Sequence, residues 1–154
     1  MDSLVPLFTT TDGRISRKQW WVGVVILILA SIVLNIVLGV LSISAAWAQL
    51  IAFVIMFVPN WSIGIKRRHD RGSDARDFKI FLGLSGLLAL VQALGIGMGY
   101  TQIEGELIAV PSLPLSLVFL LVAIYGIYVF IQLGFLRGTT GKNTYGPDPL
   151  DGAA

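Results

Sequence analysis

The sequence predicts an all-α membrane protein: a four-transmembrane-helix bundle with both termini cytoplasmic. Three observations predict it. The 154 residues are 55% hydrophobic and only 13% charged, against roughly a quarter charged in an average soluble domain. Apolar runs long enough to cross a bilayer flank one dense patch of charge, Lys66 to Asp77. All eleven Lys and Arg fall in three segments that an even number of crossings puts on one side.

Met1 to Gly13 holds a small apolar cluster, Leu4 to Phe8, too short to span and interrupted by Pro6, and reads as an interfacial or loose segment. Ser16 and Gln19 have capping-box spacing and start a helix. Arg17 and Lys18 in its first turn oppose the helix dipole, so lipid phosphate or membrane orientation accounts for them. From Gln19 to Ile65 no side chain is charged, 47 residues in all, too many for one crossing of a core about 30 Å thick. Two spans follow, about 20–43 and 47–65, turning at Ser42 to Ala46. Trp20, Trp21, Trp47 and Trp61 suit aromatic belts. A cleaved signal peptide is disfavoured, because the apolar run before Ser44-Ala45-Ala46 is too long for one. Pro59 predicts a kink or local unwinding. A basic cytoplasmic loop, 66–78, comes next, with Asp74 and Asp77 placed to cap the following helix. The third span, about 79–100, carries Gly83 and Gly86 for close helix approach and frays through Gly95, Gly97 and Gly99. Thr101 to Pro111 reads as a loop with Glu104 and Glu106. Ser112 and Pro114 begin the fourth span, about 113–136, and a polar tail, 137–154, dense in turn formers closes the single membrane domain.

With four spans, the N-terminal segment, the central loop with Lys79 at its edge, and the tail share one side and hold three, six and two of the eleven basic residues. The positive-inside rule makes that side cytoplasmic and leaves Glu104 and Glu106 opposite.

Three cytoplasmic pieces then stand side by side: Gly13-Arg14-Ile15-Ser16-Arg17-Lys18-Gln19-Trp20-Trp21; Pro59 followed by Lys66-Arg67-Arg68-His69-Asp70; and Gly138 to Pro149 with Gly141, Asn143, Tyr145, Gly146 and Asp148. Together they resemble the DUF805 family of small bacterial inner-membrane proteins, whose members carry a GR-x-SR-x-x-(F/Y)-W start, an RR-x-HD loop and a G-x-N-x-YG-x-DP tail. The resemblance covers the whole chain. Arg68 departs from it, standing where an apolar residue is usual, and Asp77-Phe78 replaces a Trp-rich helix start. It implies an inner-membrane, multi-pass protein and carries no activity.

The chemistry available is limited. There is no Cys and only one His, which excludes disulfides and thiolate sites, and no carboxylate lies in a span to bind metal. No catalytic residue, metal or cofactor is therefore expected. His69-Asp70 resembles an acid–base pair, yet no nucleophile accompanies it and neighbouring loop residues tend to point apart. Asp148 between prolines reads as closing a turn or pairing with an Arg of the central loop. Ser31, Asn35, Gln49, Gln92 and Gln132 read as a polar path or as hydrogen bonds between helices. The leading expectation is a non-enzymatic membrane protein whose basic cytoplasmic face binds an anionic lipid headgroup or a partner protein through Arg14, Arg17, Arg67, His69, Asp70, Arg71, Asn143, Tyr145 and Asp148. These motifs are expected to pack together, because like charge on one face repels itself unless carboxylates are interleaved. A small homo-oligomeric transporter or channel subunit is the alternative, and an enzyme acting on lipid comes third. Nucleic acid is not an expected partner.

Overall fold

The computed structural model describes residues 4–103 and 105–151. In chain order these form α1 (Leu4–Thr9), α2 (Arg17–Val40), α3 (Ala45–Asp70), α4 (Arg76–Ala93), β1 (Met98–Ile103), β2 (Glu106–Pro111) and α5 (Leu113–Gly134). Among the described residues three helices, α2, α3 and α5, are long and apolar enough to cross a membrane. The fourth long helix, α4, has 18 residues, about 27 Å, and carries Arg76, Asp77 and Lys79 at its start.

The capping box at α2 is present in full: Ser16 Oγ accepts from the Gln19 N–H at 3.3 Å and Gln19 Oε1 accepts from the Ser16 N–H at 2.8 Å. Three helices end in the same left-handed closure, in which the second residue past the cap bonds back to the carbonyl five residues earlier. Ile43 bonds Leu38, Ser73 bonds Arg68 and Ile96 bonds Val91, at 3.0–3.1 Å. The residues that turn are Ser42, Gly72 and Gly95, all at φ between 58° and 70°.

Several sequence expectations need correction. The charged segment is not a loop over 66–78, because α3 runs on through Asp70 and only Arg71 to Ala75 connect it to α4. Lys66, Arg67, Arg68 and Asp70 are buried, so their polar groups meet protein, and Arg67, Arg68 and His69 in the last turn also suit the helix dipole. α3 continues through Pro59 with no unwound turn. The cap of α4 is neither Asp74 nor Asp77 but Ala75, left-handed at φ 62° and wholly buried. The two carboxylates still take early N–H groups, Asp74 that of Arg76 and Asp77 that of Phe78.

The third helix is 76–93, not 79–100. Gly95 and Gly97, at φ 68° and 69°, stop it, and the expected loop is an antiparallel hairpin pairing Met98 with Pro111 through Ile103 with Glu106. Gly105, at φ 89°, makes its tip; Glu104 lies outside the described residues. The N-terminal cluster is not loose: α1 lies on α3, where Ser62 Oγ donates to the Leu7 carbonyl at 2.8 Å and Lys66 Nζ to those of Pro6 and Leu7.

The core gathers Ile15, Trp20, Leu27, Ile63, Phe78, Leu82, Val129 and Leu133. Trp20 therefore belongs to the core rather than to an interfacial belt. Close approach uses Gly86, where an added Cβ would lie 2.7 Å from Phe53, and Gly64, whose place beneath the Phe78 ring leaves no room for a Cβ. Gly83 faces open space instead.

Candidate functional site

The polar ends of α2, α3 and α5, the N-terminal segment and the tail meet at one pole, and Asp70 is the hub. Its Oδ1 accepts from Arg14 Nε and Nη2 at 3.1 and 3.0 Å, and its Oδ2 accepts from Arg67 Nη1. Its backbone carbonyl accepts from the Thr139 N–H at 2.8 Å and the Thr139 hydroxyl at 3.1 Å. Gly138 lies flat against the carboxylate, where a Cβ would collide with both oxygens.

Arg14 and Arg67 spend their remaining donors on carbonyls. Arg14 reaches Gly141 and Thr139, each at 2.6 Å. Arg67, with no exposed surface, donates from Nε to Leu133 at 2.7 Å and from Nη2 to Leu136. It thus ties up carbonyls that the end of α5 leaves without a helical partner.

His69 turns away from Asp70. Its ring stacks on Tyr145 at 3.9 Å between centroids and 7° between planes, and its Nδ1 lies 3.3 Å from the Gly13 carbonyl. Asn143 Nδ2 donates to the His69 carbonyl at 3.0 Å, while Asn143 Oδ1 accepts from the Tyr145 N–H at 2.8 Å. Asp148 closes the tail: its oxygens accept from the Leu150 and Gly141 N–H groups at 3.0 and 2.9 Å, 3.9 Å from Arg14 Nη2. The Leu150 N–H, then the Gly141 N–H and the Arg14 charge, hold its carboxyl below the usual carboxylate range against a partial desolvation. Its expected Arg partner in the central loop is replaced by Arg14.

Two of the nine expected residues stand apart. Arg71 joins a separate cluster, in which Arg71 Nη1 and Arg68 Nη1 both donate to Gln132 Oε1. Arg68 also pairs with Asp77, Nε to Oδ1 at 3.0 Å and Nη2 to Oδ2 at 2.9 Å, and Tyr125 donates to the Asp77 carbonyl at 3.0 Å. Gln132 thus bonds between helices as an intramembrane amide does. Arg17 is exposed and donates to Phe135 at 3.2 Å.

Between the start of α2 and the tail opens a cavity of about 270 Å³. Arg17, Lys18, Arg67 and Arg137 line it against two carboxylates, Asp70 and Asp148. Lys18 and Arg137 are exposed, and neither donates a hydrogen bond to any described residue. Sequence reading had not singled out Arg137, Lys18 or Gly138 as site residues. Lys18 and Arg137 were legible as the basic flanks of two apolar runs; Gly138 carried no such signal.

A family model described as "Protein of unknown function (DUF805)" matches residues 8–147. The chain belongs to the DUF805 family. No curated protein matches it, and no solved structure does. The three segments that resemble the DUF805 motifs are the segments that converge on Asp70, so the motif pattern reads as one joint distributed over the chain. The two departures from that pattern, at Arg68 and at Asp77-Phe78, are likewise neighbours: Arg68 pairs with Asp77.

Proposed function

We propose that this chain is a non-enzymatic, four-pass bacterial inner-membrane protein, N-in and C-in, that binds anionic lipid phosphate at its cytoplasmic pole. The observation that carries the binding is the contrast in donor use at the pole. Arg14 and Arg67 are committed to Asp70 and to carbonyls, whereas Lys18 and Arg137 beside the cavity donate to no described residue and Arg17 makes one exposed bond. The ligand contact therefore shifts from Arg14 and Arg67 to Arg17, Lys18 and Arg137, and the other motif residues hold the frame. A phosphate there would also face the N-terminus of α2, where the Arg17 and Lys18 N–H groups have no helical acceptor.

The fourth pass is α4. Its length of about 27 Å approaches the hydrocarbon thickness, and Arg76 and Lys79 sit at its pole end, within snorkelling distance of headgroups. Four passes leave every Lys and Arg on one side, as the positive-inside rule requires for the cytoplasm. Reporter fusions at Gly105 and at the C-terminus test this: they should report opposite compartments, and the same compartment for both would sink the four-pass reading.

Binding is tested by native mass spectrometry of the protein released from nanodiscs of phosphatidylglycerol or of phosphatidylcholine. Each basic residue near an anionic surface is worth about 1 kcal/mol, so changing Arg17, Lys18 and Arg137 together to Gln should weaken retention of phosphatidylglycerol about 100-fold. Equal retention of the two lipids by the natural chain would end the proposal.

A further inference from the structure

We infer that two copies of this chain pair in the membrane through the groove between α2 and α3, with Asn35 and Gln49 bonding across a two-fold axis. The polar residues of the spans converge on this face. Ser31, Asn35 and Gln49 line one groove of about 440 Å³, and Ser31, Asn35 and Asn60 line the adjoining one of about 620 Å³. Asn35 and Gln49 are exposed. Among the described residues Asn35 donates only to the Ser31 carbonyl of its own helix, at 2.8 Å, and its Oδ1 accepts from none. Gln49 bonds to no described residue.

Depth makes these amides matter. Asn35 lies about 8 Å along α2 from its Val40 end, and Gln49 about 6 Å along α3 from its Ala45 end, so both sit inside the apolar stretch of their helices. Lipid tails offer an amide neither donor nor acceptor, and leaving it unpaired there is costly. No described residue of α4 or α5 lines either groove; those helices meet the same side of the hairpin nearer the pole, where Val24 and Asn60 face them as well.

The occupant that fits is a second copy. A carboxamide both donates and accepts, so a patch of Asn and Gln is complementary to itself, as an isologous interface requires. The backbone also permits close approach. Ala45, Gln49, Ala52 and Met56 line the groove at spacings of four, three and four, which makes one seam of an α-helix with small residues beside the amide. This pairing is independent of headgroup binding at the other end of the bundle.

The chain has no cysteine, so single substitutions report cleanly. Ala52→Cys, oxidised with copper phenanthroline in native membranes, should give a disulfide-linked species at twice the 16.7 kDa of the chain. Leu121→Cys, on the exposed face of α5, should give at least ten-fold less. In the Ala52→Cys background, Asn35→Leu with Gln49→Leu should cut the linked fraction at least ten-fold while the thermal melt of the monomer stays unchanged. Asn35→Gln with Gln49→Asn, which keep the amides, should restore it. Equal linking at Leu121, a linked fraction indifferent to the Leu substitutions, no linking at all, or a product whose mass reveals a different protein in the groove would each overturn the inference.

Discussion

The chain reverses direction at both ends of the bundle, and it does so by different means. At the basic pole, side chains bond to backbone across long sequence separations: Arg14 to Gly141, Arg67 to Leu133, Asn143 to His69. At the opposite end the turn at Leu41 to Ser44 and the hairpin are held by backbone bonds and by left-handed residues, Ser42, Gly95, Gly97 and Gly105. Tyr100 and Leu107 of the hairpin are exposed. One end is therefore specified by the identity of a few buried polar side chains, the other by local conformation, and substitutions should separate the two.

The largest effect belongs to Asp70. Removing it leaves Arg67 buried without a carboxylate and Arg14 with only Asp148, at 3.9 Å, and breaking a buried pair from one side costs about 3–5 kcal/mol. Asp70→Ala should lose that much in unfolding from mixed micelles; a loss below about 1 kcal/mol would mean that the pole is solvated rather than packed. Arg67→Lys keeps the charge and loses the planar fork that reaches Leu133, Asp70 and Leu136 together, and about 2–3 kcal/mol is expected. If Arg67→Lys leaves stability unchanged, orientation in the membrane is all that this residue provides.

Glycine substitutions sharpen the comparison. Gly138→Ala forces the Asp70 carboxylate aside and should cost about 1–3 kcal/mol. Gly83→Ala meets open space within a helix and should be neutral or stabilising by up to about 1 kcal/mol. At the other end, Tyr100→Ala removes an exposed side chain and should stay within about 0.5 kcal/mol. A Tyr100→Ala effect as large as that of Gly138→Ala would show the hairpin packed against something.

What the sequence made legible follows the range of the interactions. The start of α2 was legible because Ser16 and Gln19 lie within one turn. The apolar runs located three long helices because their patterning is continuous. The hairpin was not, since Gly95-Ile96-Gly97-Met98-Gly99 reads as a frayed helix end until the cross-strand partner of Met98, thirteen residues on at Pro111, is known. The last turn of α3 was misread because five polar residues after an apolar run look solvated, yet the protein itself supplies their partners. At the site the donors could be named from sequence, and most acceptors could not. Thr139, Gly141, Leu133, Leu136 and Gly13 accept through backbone carbonyls, which every residue carries and no composition marks. That is why the guanidinium groups of Arg14 and Arg67, expected to face a ligand, turn out to be occupied by their own chain.

The smallest expected effect concerns how the tail is held as pH falls. The Asp148 carboxyl lies below its usual range because the Leu150 and Gly141 N–H groups and then Arg14 favour its charged form. A carboxylate whose pKa is depressed on docking contributes fully above its free value, about 3.9, and that contribution is lost as pH falls through the lower docked value. Amide exchange of the segment 139–150, normalised for intrinsic rates, should therefore be flat from pH 7 to about 5 and rise only below the ordinary Asp range. Asp148→Asn keeps the size of the side chain and one acceptor, and should show faster, pH-independent exchange of the Gly141 and Leu150 amides with little change at Thr139, whose N–H is held by the Asp70 carbonyl. Loosening centred at or above pH 4 in the natural chain would assign the titration to another group and leave Asp148 as a turn former alone.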